Sequence, residues 1–358
     1  MLNQQEKFSA KITHGKLRKM RFGIFDQMER KATPLNKMYQ DKLALLELAD
    51  EAGFWCYFKS EHHLTPLDMS PSTSTWLSAV VARTRNIRVG SLVYLLPFHH
   101  PLRLLAEITT LDHLSDGRLE VGVGRGISPY EHKLWGLDPK KGRACFEETF
   151  AILLVALTSE TLTFRGEFWD FDDVPIEQHP LQKPYPPLWY PGNIETAGAR
   201  GFNTIIGGPI EKLAAATERF AELKSSRQER KGDLPIGTTQ SIGAAVRIIL
   251  DEDEQHARQR GRTAWKHFDA NLTKLWRKFS VTDLPGNPTK GGDFDQALAE
   301  SAAFAGTPDM FFDFVSERAA VGIDPLVLTF DWGDLSAGEV RHTFDLFVEK
   351  VMPSSINL

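Results

Sequence analysis

Residues 87–126 read IRVGSLVYLLPFHHPLRLLAEITTLDHLSDGRLEVGVGRG, and the fold follows from them. The apolar stretch Ile87–Val93 predicts a buried strand, and after a turn Pro101–His113 has helical spacing. Asp116-Gly117 makes a second turn, and Arg118–Gly124 is another apolar strand. Two such strands joined by a helix form a βαβ unit, which implies a parallel sheet covered on both faces. The second strand runs into Gly124-Arg125-Gly126, a cation at the carboxyl end of a strand, where α/β folds place their ligands.

The alternation continues on either side. Further strands are expected at Arg21–Asp26, Trp55–Lys59, Pro187–Tyr190, Thr204–Ile206, Ser241–Leu250 and Pro325–Phe330. Helices are expected at Lys37–Ala52, closed by Gly53, and at Thr73–Thr84, Gly142–Thr158, Ile210–Lys224, Glu252–Phe268, Thr307–Val321 and Ala337–Val351. LTFRGEFWDFDD (162–173) alternates like a hairpin insertion. Residues 271–300, with LPGNPTKGGDFDQ, are too rich in Gly, Pro and polar residues for a regular element. Eight strands, each followed by a helix, predict an α/β protein of the (β/α)8 TIM-barrel type. It would form one domain over 20–353, with tails at 1–19 and 354–358, and its active site would lie at the strands' carboxyl ends.

The chain has 358 residues and 42% apolar content, enough for one large core. A net charge of −5 gives no general attraction to nucleic acid. No apolar run approaches the roughly 18 residues that span a membrane, and the first twenty residues are polar and basic, unlike a signal peptide. Cys56 and Cys145 form no pair or metal motif, which suits small packing residues in a reducing cytoplasm.

Four strings stand at the predicted strand ends in order: SEHHLTP (60–66), VGSLVYLLPFHHPLR (89–103), LDHLSDGRLEVGVGRG (111–126) and GIDPLVLTFDWG with LFVEKVMP (322–353). Together they resemble the bacterial luciferase-like family of flavin-dependent monooxygenases, over almost everything from Met20 to Pro353. The resemblance implies FMN, its phosphate held by Arg125 and Arg143 and by the turn PGNIETAGARG (191–201). Within and beside that turn, Tyr190, Gly192, Asn193, Ile194, Glu195 and Thr196 are the candidate contacts. A dianionic phosphate needs such cations and backbone N–H groups. The resemblance also implies a non-proline cis peptide at Leu92–Val93 under the flavin ring. It places Gly124 where the luciferase α chain has a reactive cysteine, a departure expected to open space beside the ring.

His62 matches the family's catalytic base, a task that suits a side chain titrating near neutrality. Glu61 and His63 are further catalytic candidates: Glu61 would orient the imidazole or balance its charge, or else Glu61 and His63 only cap and brace the loop. A second pair, His99-His100, invites a metal reading. Adjacent residues in an extended segment point to opposite sides, however, and a brace at the helix start suits His100 better. Thr273–Asp295 is expected to form a mobile lid, with Leu275, Trp276, Phe279 and Leu284 on its apolar underside. Phe25, Trp55, Phe98, Tyr130, Trp189, Tyr190 and Trp332 surround the expected mouth and suggest a small apolar substrate.

The activity implied is that of a two-component monooxygenase. A separate flavin reductase supplies reduced FMN, O2 is the co-substrate, and a C4a-peroxyflavin oxygenates the substrate. The absence of a Gly-x-Gly-x-x-Gly fingerprint agrees with an external reductase. The alternatives are an F420- or NAD(P)H-dependent oxidoreductase on the same scaffold, and a non-catalytic flavin-binding relative. The family habit of pairing through helices beside the second to fourth strands implies a homodimer.

Overall fold

The computed structural model describes residues 20–228, 234, 240–279 and 293–355. Its first half contains β1 (Phe22–Asp26), α1 (Leu35–Ala52), β2 (Cys56–Lys59), α2 (Thr73–Arg83), β3 (Arg88–Leu95), α3 (Pro101–Leu114), β4 (Leu119–Gly124), α4 (Pro129–Leu134) and α5 (Gly142–Thr158). Then come β5 (Thr161–Arg165), β6 (Asp170–Pro175), β7 (Leu188–Trp189), α6 (Ile194–Arg200), β8 (Thr204–Ile206) and α7 (Ile210–Ser225). The last part holds β9 (Ile242–Leu250), α8 (Glu254–Lys278), α9 (Phe294–Ala299), β10 (Ala303–Gly306), α10 (Pro308–Ala320), β11 (Leu326–Thr329) and α11 (Ala337–Leu346).

The main sheet is parallel, in the order β10-β9-β11-β1-β2-β3-β4-β7, with β8 also on β9. β9 is long enough to serve three neighbours. Ile242–Ala244 pairs with β8, Ala244–Arg247 with β11 and Arg247–Leu250 with β10. Between β7 and β8 there is no regular ladder. A parallel bridge joins Trp189 to Asn203, with the Asn203 N–H donating to Leu188 O at 3.0 Å and the Tyr190 N–H to Asn203 O at 2.9 Å. The result is the expected barrel architecture, wrapped by α1 to α3, α5, α7, α10 and α11.

Local chemistry explains the boundaries. Gly53 ends α1 with φ 85°, a left-handed turn that costs glycine little. Asp253 caps α8 by accepting from the Gln255 and His256 N–H groups, and Ser336 with Glu339 forms a reciprocal capping box on α11. The hairpin β5–β6 is antiparallel, and the Glu148 carboxylate of α5 holds its turn by accepting from the N–H groups of Glu167, Phe168 and Trp169. Cys56, Phe58, Trp189, Ile205 and Val327 plug the barrel interior, while Leu77, Val80, Ile87, Leu104 and Ile108 pack between sheet and helices. Both cysteines are free and buried, and burial pushes the Cys56 thiol well up. Among the described residues no helix is long and apolar enough to cross a membrane.

Four expectations change. The charged helix does not stop at Phe268 but runs on to Lys278, because Ala257, Gly261, Ala264, Phe268 and Asn271 keep one buried stripe. The stretch 271–300 therefore begins helical, and it also contains α9, whose Phe294 ring covers Gly261 so closely that a Cβ there would lie 2.3 Å away. β10 adds a strand that the short, bland AFAG did not suggest. The closing helix is α only to Leu346, continues as a π-turn over Phe347–Val351, and finishes as α-helix at Met352–Ser355. Ser354 and Ser355 of the expected tail 354–358 belong to that last helix; residues 1–19 and 356–358 and the centre of the expected lid, 280–292 with Leu284, lie outside the described residues.

Candidate active site

A cavity of about 280 Å³ opens at the carboxyl ends of the strands. Of the predicted residues, Glu61, His62, Leu92, Val93, Gly124, Arg125 and Tyr190 line it; Phe25, Ser60, Gly126 and Glu131 join them. His63, Arg143 and the turn residues Gly192 to Thr196 lie outside that lining.

The wall is made by β3 and β4. The Leu92–Val93 peptide is cis, and the ladder between the strands slips there, Ser91 facing Val121 and Tyr94 facing Val123. The Ser91 hydroxyl bridges the slip by donating to Gly122 O at 2.9 Å and accepting the Gly122 N–H at 3.1 Å. Gly124 does not open space, contrary to expectation. A Cβ there would meet Val93 Cγ2 at 2.4 Å, so the Val93 side chain already fills the place. Gly124→Ala is therefore expected to displace Val93 and cost about 1–3 kcal/mol in denaturant unfolding. Adding Val93→Ala to it should recover part of that loss; an undiminished loss would mean that something other than this contact is responsible.

Glu61 is a buried hub. Its carboxylate receives the His63 ring at 2.6 Å, the His99 ring at 2.9 Å and the Leu95 N–H at 3.1 Å. Burial alone would raise its pKa, but the bonds from the two imidazoles bring it down to about 2. His99 is pushed up in turn: burial works against its charge, and the bond to Glu61 outweighs it. The Glu61 carboxylate is thus bonded to His63 and His99, and to no atom of the His62 ring among the described residues. His100 faces away and packs on Trp169 with centroids 4.7 Å apart. One histidine of each pair, His63 and His99, thus converges on Glu61, whereas among the described residues the donors that cluster as for a metal are Asp251, Glu252 and His342, elsewhere on the surface.

The His62 ring makes no hydrogen bond within the described residues, and its backbone N–H donates to Asp68 at 3.2 Å. Burial, then the positive charge of Lys59, lowers its pKa to about 4 despite Glu61. Lys59 is itself fully buried and paired with Asp68 at 2.6 Å. His62 is thus neutral near pH 7, with one ring nitrogen open as an acceptor but a weaker base than an ordinary histidine.

Glu131 was not legible in the sequence, since α4 carries only six residues and no apolar period. Its Oε1 accepts the His63 N–H at 2.6 Å. Burial raises its pKa to about 7.

At the other end of the site, Arg125 and Arg143 are exposed and have no hydrogen-bond or ion-pair partner among the described residues. In the turn after β7, Asn193 caps α6 by accepting the Thr196 N–H at 2.9 Å, and the Gly192 N–H donates to Ile205 O at 3.0 Å. The Glu195 carboxylate is drawn away by Arg219 at 2.8 Å. The N–H groups of Asn193, Ile194 and Glu195 and the Thr196 hydroxyl remain available. The uncommitted Arg125 guanidinium at the edge of this cavity is a donor that fits an anionic cofactor with a flat apolar body.

The mouth aromatics divide by burial. Trp332 is core, its indole N–H donating to Ile248 O at 3.2 Å, and Trp55 and Trp189 pack with tilted rings, centroids 5.9 Å apart, in the barrel floor. Phe25 and Tyr190 line the cavity; Phe98 stacks on Trp135 beside His63. Tyr130 stacks on Phe279 at 4.5 Å, at the end of α8.

A family model described as luciferase-like monooxygenase matches residues 20–325. The chain belongs to that family. Among its relatives is the protein y4wF of Sinorhizobium fredii, 32% identical over 330 residues, 91% of this chain and 94% of that one. The oxygenase component of a flavin-dependent trigonelline monooxygenase from Acinetobacter baylyi is 27% identical over 57% of this chain and 62% of its own. Among solved structures, the monooxygenase RslO1 of Streptomyces bottropensis superposes with a TM-score of 0.80 at 27% identity, covering 94% of this chain and 99% of its own. As a luciferase-like monooxygenase, the chain is an oxidoreductase, and its barrel is the family's.

Proposed function

We propose that this chain is the oxygenase of a two-component system, taking reduced FMN from a separate reductase and O2 to oxygenate a small apolar organic substrate. The observation that carries the reading is Arg125, a cation without a partner among the described residues, at the rim of an apolar cavity whose wall holds the cis Leu92–Val93 peptide. Bound reduced FMN would supply two electrons and the ring at which O2 is activated. Arg125 and Arg143 hold its phosphate, helped by the turn Gly192–Thr196, where the free N–H groups of Asn193, Ile194 and Glu195 supply neutral donors. Leu92, Val93 and Gly124 back the ring, Phe25 and Tyr190 keep water from it, and neutral His62 accepts a proton from the bound substrate. Glu61 and His63 hold the loop that presents His62. The groove of about 340 Å³ between α2 and α3, lined by Ser74, Ser78, Arg103 and Glu107, is assigned to a second copy of the chain in a cytoplasmic homodimer. An oxygenase component in a relative's name supports the external reductase.

The test is an anaerobic titration of the protein with reduced FMN and with reduced F420, followed by admission of O2. Preferential FMN binding with oxygen consumption on adding substrate is expected. Binding of F420 instead, with hydride exchange and no oxygen uptake, would replace the monooxygenase by the deazaflavin enzyme.

A further inference from the structure

The cavity wall carries one carboxyl group that the proposed roles leave unused. Glu131 sits on α4 directly after the Arg125 rim, nearly all of its surface buried, and lines the same cavity as His62 and Gly124. One of its oxygens is fixed by the His63 N–H at 2.6 Å; the other has no hydrogen-bond partner among the described residues. No cation pairs with it among the described residues. The charged or titratable groups facing it come from the loop after β2: His63, whose charge favours the carboxylate, and Glu61 and Asp68, which disfavour it. Arg125 and His62 share the cavity without touching it. A carboxyl held by one neutral N–H in a dry wall keeps its proton to higher pH than one in water.

We propose that Glu131 is the proton-carrying group of this cavity, exchanging the proton on its second oxygen with whatever is bound against it. In the step, the carboxyl O–H bond breaks and the proton passes to an oxygen or nitrogen of the bound group. Glu131 becomes a carboxylate that the His63 N–H steadies. The reverse transfer from solvent restores the acid. With its pKa near 7 Glu131 is the acid, while His62, near 4, is the base; environments that push two titratable groups apart assign them opposite roles. The inference rests on the cavity being the reaction site proposed above.

The experiment begins with ligand-free protein. Infrared difference spectra between wild type and Glu131→Gln, recorded from acid to alkaline pH, should show a protonated-carboxyl band that titrates near neutrality and is absent from the variant. A Glu131 ionised throughout that range overturns the proposal. The amide introduced by Glu131→Gln keeps an oxygen for the His63 N–H, so the variant should fold and bind FMN as wild type does. Its flavin-loaded oxygen consumption should fall about 100-fold at acid pH and lose the pH limb near neutrality. Glu131→Asp, which still titrates but is shorter, should retain the limb at a lower rate. An unchanged pH profile in Glu131→Gln overturns the proposal. If the band titrates as described but wild type binds no flavin, the proposed function falls while the placement of this acid stands.

Discussion

Arg125→Ala is expected to weaken FMN binding about 100-fold and leave folding stability within about 0.5 kcal/mol of wild type. The reasoning is local. Nothing in the fold depends on this guanidinium, because no carboxylate or carbonyl among the described residues engages it. A charge-assisted bond to phosphate contributes about 1.5–3 kcal/mol, which is tenfold or more in affinity for each bond made. Arg143→Ala should follow the same direction with a smaller loss, since Arg143 stands outside the cavity lining. Riboflavin, which has no phosphate, is the control: its affinity should not change in either variant. Equal losses for FMN and riboflavin would show that Arg125 shapes the ring pocket instead, and no loss for FMN would remove it from the cofactor site.

The second large effect concerns Glu61. Glu61→Ala should destabilise the protein by about 3–5 kcal/mol at neutral pH, because two imidazoles and the Leu95 N–H lose a buried acceptor together. Glu61→Gln, which keeps the acceptor but not the charge, should lose less. The sign with pH follows from linkage. The Glu61 carboxyl lies below its ordinary 4.5, at about 2, so its contribution is complete above about 4.5 and disappears as the pH falls between the two values. His99 is raised above 6.5, so its share is present below that value and is lost as the pH climbs through its folded pKa. The difference in stability between wild type and Glu61→Gln, measured by denaturant unfolding across pH, should therefore be widest in mildly acid to neutral solution and close below about pH 4.5. A difference constant with pH would mean that Glu61 acts by shape alone.

Much of this molecule was legible in its sequence where a signal repeats. Gly142–Thr158 and Thr204–Ile206 fall at the expected bounds because apolar spacing and flanking Gly, Ser and Asn residues state them twice. β10 was missed because four small residues have no period, and their strand exists only through pairing with Arg247–Leu250. In the site, Arg125 and His62 were visible as residue types at strand ends. What those residues are like was not visible. A histidine chosen for its ordinary pKa is shifted by burial and by Lys59, a residue buried in the wall. Glu131 looks like any charged residue of a surface helix until the His63 N–H is placed on it. Gly124 shows the same limit, since only coordinates reveal that Val93 fills the space glycine leaves.

β11 is hydrogen-bonded to β1 on one side and to β9 on the other, and it lies just past residue 325, where the family match ends. β1 must therefore wait for the whole of the sequence up to β11 before its second edge is paired. Until Leu326–Thr329 emerges, β1 and the middle of β9 are bare parallel edges, open to pairing with other chains. The Arg21–Asp324 ion pair draws the two ends of the sheet together as soon as both exist, so folding of this enzyme is most exposed to aggregation in the interval before β11 takes its place between β1 and β9.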